Sequence, residues 1–479
     1  MRKYNEIILG ILLCIVSIGV VKAQDVNITV PAQHIFNHTE FTTVKTVMHT
    51  GSRINWNYSL ILLVVKTPTF RSISGNNFIQ EVSPEFDLPS TVLQWQLASI
   101  GGALPPFGVL SGSLPGFKHF TSSKQNWYNP PLTPLLTGFP RGEIKFTFKI
   151  PSNKFANNIY HVGDYSIKID QNYDFTPSSF YVILSVPKAI SWLTTNNIGY
   201  SEINSLDDYR TTPENIILEL GSFELGNTMD FNLFAESTSP NIQFTSNKGT
   251  QENIDISLLK LGGNHLNILT QPLTSTEQNF TSGNSFEVEI GNRNSFQLHA
   301  SLSKADFKNH FFQAGTYNFQ IDLSAKSIDN TIVAPQTIDY TLKVLPLSEI
   351  KIPNVGQTVN FEFNTAEQYQ NGQIKTIPNQ IRISNNETYE LYVKSDAPFF
   401  TKEGIQTDVP ASILEIGIDG GSPPVSLSTT PEKIANNGMP VLDKDLTMKY
   451  AISAESAQAL VPKDKGTYTT NIIYSFTAL

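Results

Sequence analysis

Gly163-Asp164-Tyr165-Ser166-Ile167-Lys168-Ile169-Asp170 matches Gly315-Thr316-Tyr317-Asn318-Phe319-Gln320-Ile321-Asp322 in its glycine, tyrosine, apolar and acidic places. Gly466-Thr467-Tyr468 repeats the opening. The three glycines are 152 and 151 residues apart, and a fixed period of that length means a repeated domain. About 17 to 20 residues upstream of each glycine lies an alternating apolar stretch: Phe146-Thr147-Phe148, Phe296-Gln297-Leu298 and Leu446-Thr447-Met448. Downstream, Tyr181–Pro187 and Tyr340–Pro346 close the first two units with a strand and a proline. This divides the chain into units at 24–187, 188–346 and 347–479. A further match of Phe231–Ser237 with Tyr389–Ser395 places an early strand in units two and three, and Tyr58 to Lys66 is its expected counterpart in unit one.

Within each unit apolar residues recur every second position, as in Ile144, Phe146, Phe148 and Ile150, or Tyr468, Ile472, Tyr474 and Phe476. Period two means half-buried strands. Asn371-Gly372, Asp419-Gly420-Gly421 and Asn437-Gly438 read as tight turns, because glycine accepts the positive φ such turns need. Helical periodicity is confined to short pieces, Lys304 to Phe312 and Ser453 to Leu460, each just before a repeat glycine. A short crossover leading into Gly-x-Tyr and a strand is how one sheet hands the chain to the other in a Greek-key sandwich. The fold expected is therefore all-β, with three tandem immunoglobulin-like sandwiches in which Tyr165, Tyr317 and Tyr468 are tyrosine corners.

Composition agrees with that pattern. Charged residues are 16%, against a typical quarter, while aromatics reach 11% through 30 Phe and 17 Tyr. Those proportions exclude a disordered chain and a coiled coil. Residues 1–23 have a secretory layout: Arg2 and Lys3, an apolar run from Ile7 to Val21, then Val21-Lys22-Ala23 for cleavage after Ala23. The run has about 15 residues, whereas a spanning helix needs roughly 20. An exported chain is expected, in the periplasm, on the cell surface or outside the cell. The single cysteine, Cys14, lies in this leader, so the mature chain holds no thiol and its stability must come from core burial. The leader carries three basic residues and one acid; removing it takes the net charge from -9 to about -11. Such a surface repels phosphate backbones, so nucleic acid is not an expected partner.

The search for chemistry is largely negative. There is no Gly-Lys dipeptide for a phosphate loop, no Gly-x-Ser-x-Gly elbow and no His-Glu-x-x-His helix. His34 and His38 have the i, i+4 spacing of two ligands on one helix face, but they follow Pro31 in a segment read as strand or loop. Asp419 is the only acid in its turn, too few oxygens for calcium. The pairs Asp170 and Asp174, and Asp207 and Asp208, are common in any acidic protein. No enzyme, cofactor or metal is expected.

Two segments stand apart. Residues 101–142 have no acid before Gly142, are rich in proline and glycine, and carry Phe107, Phe117, Phe120, Trp127 and Tyr128. An insertion this long is either functional or disordered, and its ring content argues for order. Those five rings are the candidate ligand-binding residues, able to stack on a sugar or to pack down over their own sandwich. At the mature N-terminus, Asp25-Val26-Asn27-Ile28-Thr29-Val30 alternates apolar and polar. It is expected as the first strand of unit one, or as a donor strand that completes another subunit's sheet.

Through the Gly-x-Tyr strand, the closing strand and the terminal proline, the chain resembles tandem immunoglobulin-like β-sandwich proteins of bacterial surfaces. Its last 130 or so residues are similar to spore-coat-U and pilin-like sandwiches through Tyr389–Ser395 and Gly466–Phe476. The resemblance implies a surface fibre or adhesive role, with strand addition between copies of the chain or with other surface proteins. The alternative is a glycan-binding accessory protein that uses the aromatic insertion.

Overall fold

The computed structural model describes residues 24–478 apart from 53, 56, 60–63, 66, 101–112, 131–137, 140, 173, 195–197, 212–213, 282 and 354–357. It is all-β, built as a succession of sandwiches. Three separate apolar cores run along the chain, from Val26 to Val186, from Ile190 to Val344 and from Ile381 to Ala457.

Unit two is the most complete and sets the plan. One sheet orders Ile190–Trp192, Asn215–Asn227, Arg293–Ser303, Lys260–Gly263 and Gln271–Pro272. The facing sheet orders an opening strand Ile198–Ile203, a closing strand Val333–Val344, the corner strand Gly315–Ser327, then Phe231–Ser237 and Gln278–Asn279. The closing strand lies between its neighbours, parallel to the opening strand and antiparallel to the corner strand. This is the Greek-key sandwich that the repeat predicts. Unit one follows the plan with opening strand Val26–Thr29, closing strand Ser179–Val186 and corner strand Gly163–Gln171. Its opening strand buries Val26 and Ile28 in its own core, so the first-strand reading of residues 25–30 is the arrangement observed.

The corner repeats three times. Tyr165 Oη donates to the His161 carbonyl at 2.7 Å, Tyr317 Oη to Gln313 at 2.8 Å and Tyr468 Oη to Asp464 at 2.6 Å, always four residues back. The preceding glycines have φ of 138°, 155° and 148°, a region closed to side chains. A Cβ on Gly315 would stand 2.4 Å from the Thr245 carbonyl oxygen. The crossovers before them are the helices Ser152–Ala156, Lys304–His310 and Ala454–Gln458. Ser303 and Ser453 cap the last two by accepting from the backbone N–H three residues on.

Some expectations need correction. The unit-one counterpart of Phe231–Ser237 is Thr69–Ser72, which pairs with the corner strand at Ile169–Gln171. The described parts of 58–66 instead belong to a separate antiparallel pair, Asn57–Ser59 with Val64–Val65, and the rest of that segment lies outside the described residues. The segment holding His34 includes a short helix, Ala32–Phe36, rather than a strand. Gly372, at φ 71°, ends the helix Ala366–Asn371 instead of making a hairpin. At 437–438 it is Asn437 that takes the positive φ, while Gly438 makes room for the Tyr389 ring.

Replacing Tyr317 by Phe leaves the part-buried Gln313 carbonyl without its donor, and is expected to cost about 1–2 kcal/mol in denaturant unfolding. Tyr468→Phe, at a corner open to water, is expected to cost less than half as much.

Candidate functional site: repeated clamps and an open third sandwich

The ring cluster of the insertion is packed inward. Trp127 sits with its ring centroid 6.0 Å from Phe70, 5.6 Å from Phe146 and 5.5 Å from Phe175, and its backbone N–H donates to the Pro68 carbonyl at 3.1 Å. Tyr128 and Phe120 are buried in the same core, the latter against Trp95 and Phe78. Phe117 keeps an exposed face, with the Lys149 ammonium 4.5 Å from its centroid. Phe107 lies outside the described residues. The structure thus places Trp127, Tyr128 and Phe120 in one core, with Trp127 and Phe120 packed against neighbouring rings.

The polar candidates disperse. His34 contacts the Thr39 hydroxyl at 2.9 Å, whereas His38 reaches the Gly291 carbonyl of unit two at 2.8 Å. Asp170 pairs with Arg71 at 2.8 Å and Asp207 with Arg210 at 3.5 Å. Among the described residues no group of three or more His, Cys, Asp or Glu side chains could hold a metal ion. No helix among them is long and apolar enough to cross a membrane.

What repetition builds instead is a clamp between units. After its long strand, unit two turns at Thr228, which is fully buried. Its N–H donates to Ala189 and its carbonyl accepts from Val162 of unit one. Its hydroxyl donates to the Pro187 carbonyl at 2.7 Å and accepts from the Ala189 N–H at 2.9 Å. Asn386, 158 residues on, does the same in unit three. Its N–H donates to Leu347, its carbonyl accepts from Ala314, and its side chain bonds the Leu345 carbonyl at 2.8 Å and the Leu347 N–H at 2.7 Å. Each clamp holds the residue just before a corner glycine and the segment just after a closing strand. A buried, fully satisfied set of this kind permits one arrangement.

Each junction has its own reinforcement. Between units one and two, buried Asn292 adopts φ 57° and pairs both backbone groups of Tyr160, at 2.9 Å and 2.8 Å. Gly226 lies under the Phe36 ring, where a Cβ would come within 2.4 Å. Between units two and three, Arg210 is held by Asp443, Glu349 and the Ser384 hydroxyl. Hydrogen bonds from Arg210 are the main cause that holds the carboxyls of Asp443 and Glu349 below their usual range, with partial burial opposing.

Unit three departs from the plan at one place. Its corner strand, Tyr468–Thr469 continuing as Ile472–Ala478, pairs with Phe399–Lys402 and Tyr389–Ser395 on one side. On the other side, where units one and two carry their closing strands, no strand pairs with it among the described residues. Residues 358–363 precede a helix as the opening strands do, and Val359, Phe361 and Phe363 pack on the third core, yet this segment belongs to no sheet. The inward residues Ile472, Tyr474 and Phe476 are therefore only half-buried, whereas Ile321, Leu323 and Ala325 of unit two are fully covered.

No protein-family model matches the sequence, and no curated protein does. Solved structures give distant likenesses. CfaE, the adhesive subunit of the CFA/I fimbria of enterotoxigenic Escherichia coli, is 12% identical over 67% of this chain and 98% of its own, with a TM-score of 0.29. The CsuC–CsuE chaperone–tip adhesion subunit pre-assembly complex of Acinetobacter baumannii is 14% identical over 60% of this chain and 99% of the other, at 0.28. The CooA pilin subunit of enterotoxigenic Escherichia coli is 13% identical over 33% of this chain and all of its own, at 0.22.

Trp127→Ala is expected to cost about 3–5 kcal/mol in unfolding, because it opens a cavity in a packed ring layer. The junction between units two and three is expected to depend on pH. Since the folded carboxyls of Asp443 and Glu349 titrate lower than unfolded ones, their contribution is complete above about pH 4.5 and fades as pH falls through the folded values. Solution X-ray scattering should show the interunit angle fixed at pH 7 and loosened near pH 3, and Arg210→Gln should loosen it already at pH 7.

Proposed function

We propose that this chain is a non-enzymatic structural or adhesive protein of the secreted and cell-surface class, exported through residues 1–23. Two buried clamps join its sandwiches in fixed relation, and its third sandwich accepts a strand from another surface subunit. One observation carries the reading: among the described residues the third corner strand has an unpaired edge where both other units have a closing strand. An exposed edge is a template for β-strand addition, which supplies main-chain hydrogen bonds and covers the half-buried face together. Repetition and the absence of catalytic signatures in the sequence favour a spacer or binding role over a chemical one. The strand that could have been donated, Val26–Thr29, is used inside its own unit, which points to an acceptor at one end of an assembly.

The test is hydrogen exchange on the mature chain, residues 24–479, with negative-stain imaging of the same sample. The reading expects three beads in a fixed line. It also expects amides of Ile472–Thr477 to exchange at least about a hundredfold faster than those of Ile167–Ile169 and Phe319–Leu323, because an unpaired edge opens locally. Equal protection in all three corner strands, or beads that fold back on each other freely, would overturn it.

A further inference from the structure

The units do not share the chain's charge evenly. Residues 24–187 hold 11 Lys and Arg against 9 Asp and Glu, residues 188–346 hold 9 against 17, and residues 347–479 hold 10 against 15. Unit one is thus a basic unit in an acidic chain, and part of its basic charge lies on one face. Its four-stranded sheet orders Lys118–His119, Gln94–Ile100, Gly142–Ile150 and Phe41–His49. Along Gly142–Ile150 the buried Ile144, Phe146 and Phe148 alternate with Lys145, Thr147 and Lys149, which point away from the core. Lys149 stands opposite Gln94 on one side and Thr42 on the other, and its ammonium lies 4.5 Å from the centre of the Phe117 ring, which is 39% exposed. Val44, opposite Thr147, is 53% exposed on the same face. Glu143 and Glu40 pair with Lys145 and Lys149 at 3.2 Å and 3.7 Å, while Lys118 at the rim and Lys154 on the following helix form no ion pair among the described residues.

Unit two turns the opposite character outward. On its seven-stranded sheet Glu236 stands directly opposite Asp322, and Asp322 opposite Thr337, on the face away from the core. Asp339, two residues beyond Thr337, shares that face and stands opposite Gln320. None of these three carboxylates has a cationic partner among the described residues; Thr337 donates to Asp322, and Gln320 donates to Asp339 at 2.6 Å. Like charges set directly opposite destabilise a sheet, so this face carries an electrostatic cost that a cationic surface would relieve. Ile198 and Tyr200, on the edge strand opposite Asp339 and Thr341, add apolar surface that is 73% and 56% exposed. We propose that copies of this chain associate side by side, with the lysine face of unit one in one copy seated on the carboxylate face of unit two in another. Each face carries exposed apolar side chains beside its charges, which suits a protein partner more than a bare polyanion. Opposite potentials steer the encounter and fix which faces meet. The contact leaves the edge of unit three untouched and is independent of the strand-acceptor reading.

The experiment is sedimentation velocity on the mature chain, residues 24–479, over a range of concentrations. Association is expected to be at least about tenfold weaker in about 500 mM salt than in about 20 mM, because the charges that drive it are exposed and screened. Two charge-reversed variants, one with Lys145→Glu and Lys149→Glu and the other with Glu236→Lys and Asp322→Lys, should each sediment as monomers at low salt. Mixed in equal amounts they should associate again, since the first then offers an acidic unit-one face to the basic unit-two face of the second. Recovery in the mixture also shows that both variants are folded. A wild-type chain that stays monomeric at low salt, association that high salt leaves unchanged, a variant that associates alone, or a mixture that stays monomeric would overturn the proposal. So would a monomeric wild-type chain that binds the acidic polysaccharide alginate through Lys145 and Lys149, which would assign the lysine face to a polyanion.

Discussion

One strand in each closed sandwich satisfies two others at once. Ser179–Val186 and Val333–Val344 each hydrogen-bond a parallel opening strand and an antiparallel corner strand, and their apolar faces cover the core between the sheets. The same strands then run directly into the residues that the clamps grip, Pro187 to Ala189 and Leu345 to Leu347. Closing a sandwich and attaching the next one are therefore a single structural event in this chain. In unit three, where no strand pairs with that side of the corner strand among the described residues, the inward residues Ile472, Tyr474 and Phe476 stay half-buried.

Much of the architecture was legible because it depends on residues that cannot be exchanged. The corner needs glycine for its backbone angle and tyrosine for the reach of its hydroxyl, so both letters recur at a fixed period. The closing strands of the first two units were legible through alternation and proline. The clamps were not, because Thr228 and Asn386 satisfy the same four bonds with different side chains, and self-similarity by letter passes over them. Asn292 was equally silent: its role depends on a positive φ and on a neighbour in another unit. The aromatic insertion was readable as ordered but not in its direction, since the ring types that stack on a ligand also fill a core.

The junctions differ in what they add to the shared clamp. The first relies on close packing, with Phe36 over Gly226 and Asn292 against the Tyr160 backbone. The second relies on ions, with one guanidinium among two carboxylates and a hydroxyl. The second weakens as its carboxyls take up protons. The chain thus combines a junction built mainly of packed rings and amides near its start with one built around a guanidinium and carboxylates further on.

The parallel pairing of opening and closing strands has a mechanical side. The chain enters a closed sandwich along one of these strands and leaves along the other, so tension applied through the ends slides them lengthwise past each other. Every rung of the ladder then bears load at once, where a peeled hairpin would lose them one after another. Units one and two have this geometry within a single chain. Among the described residues unit three has no such parallel pair, so a pull on it loads a different set of ladders.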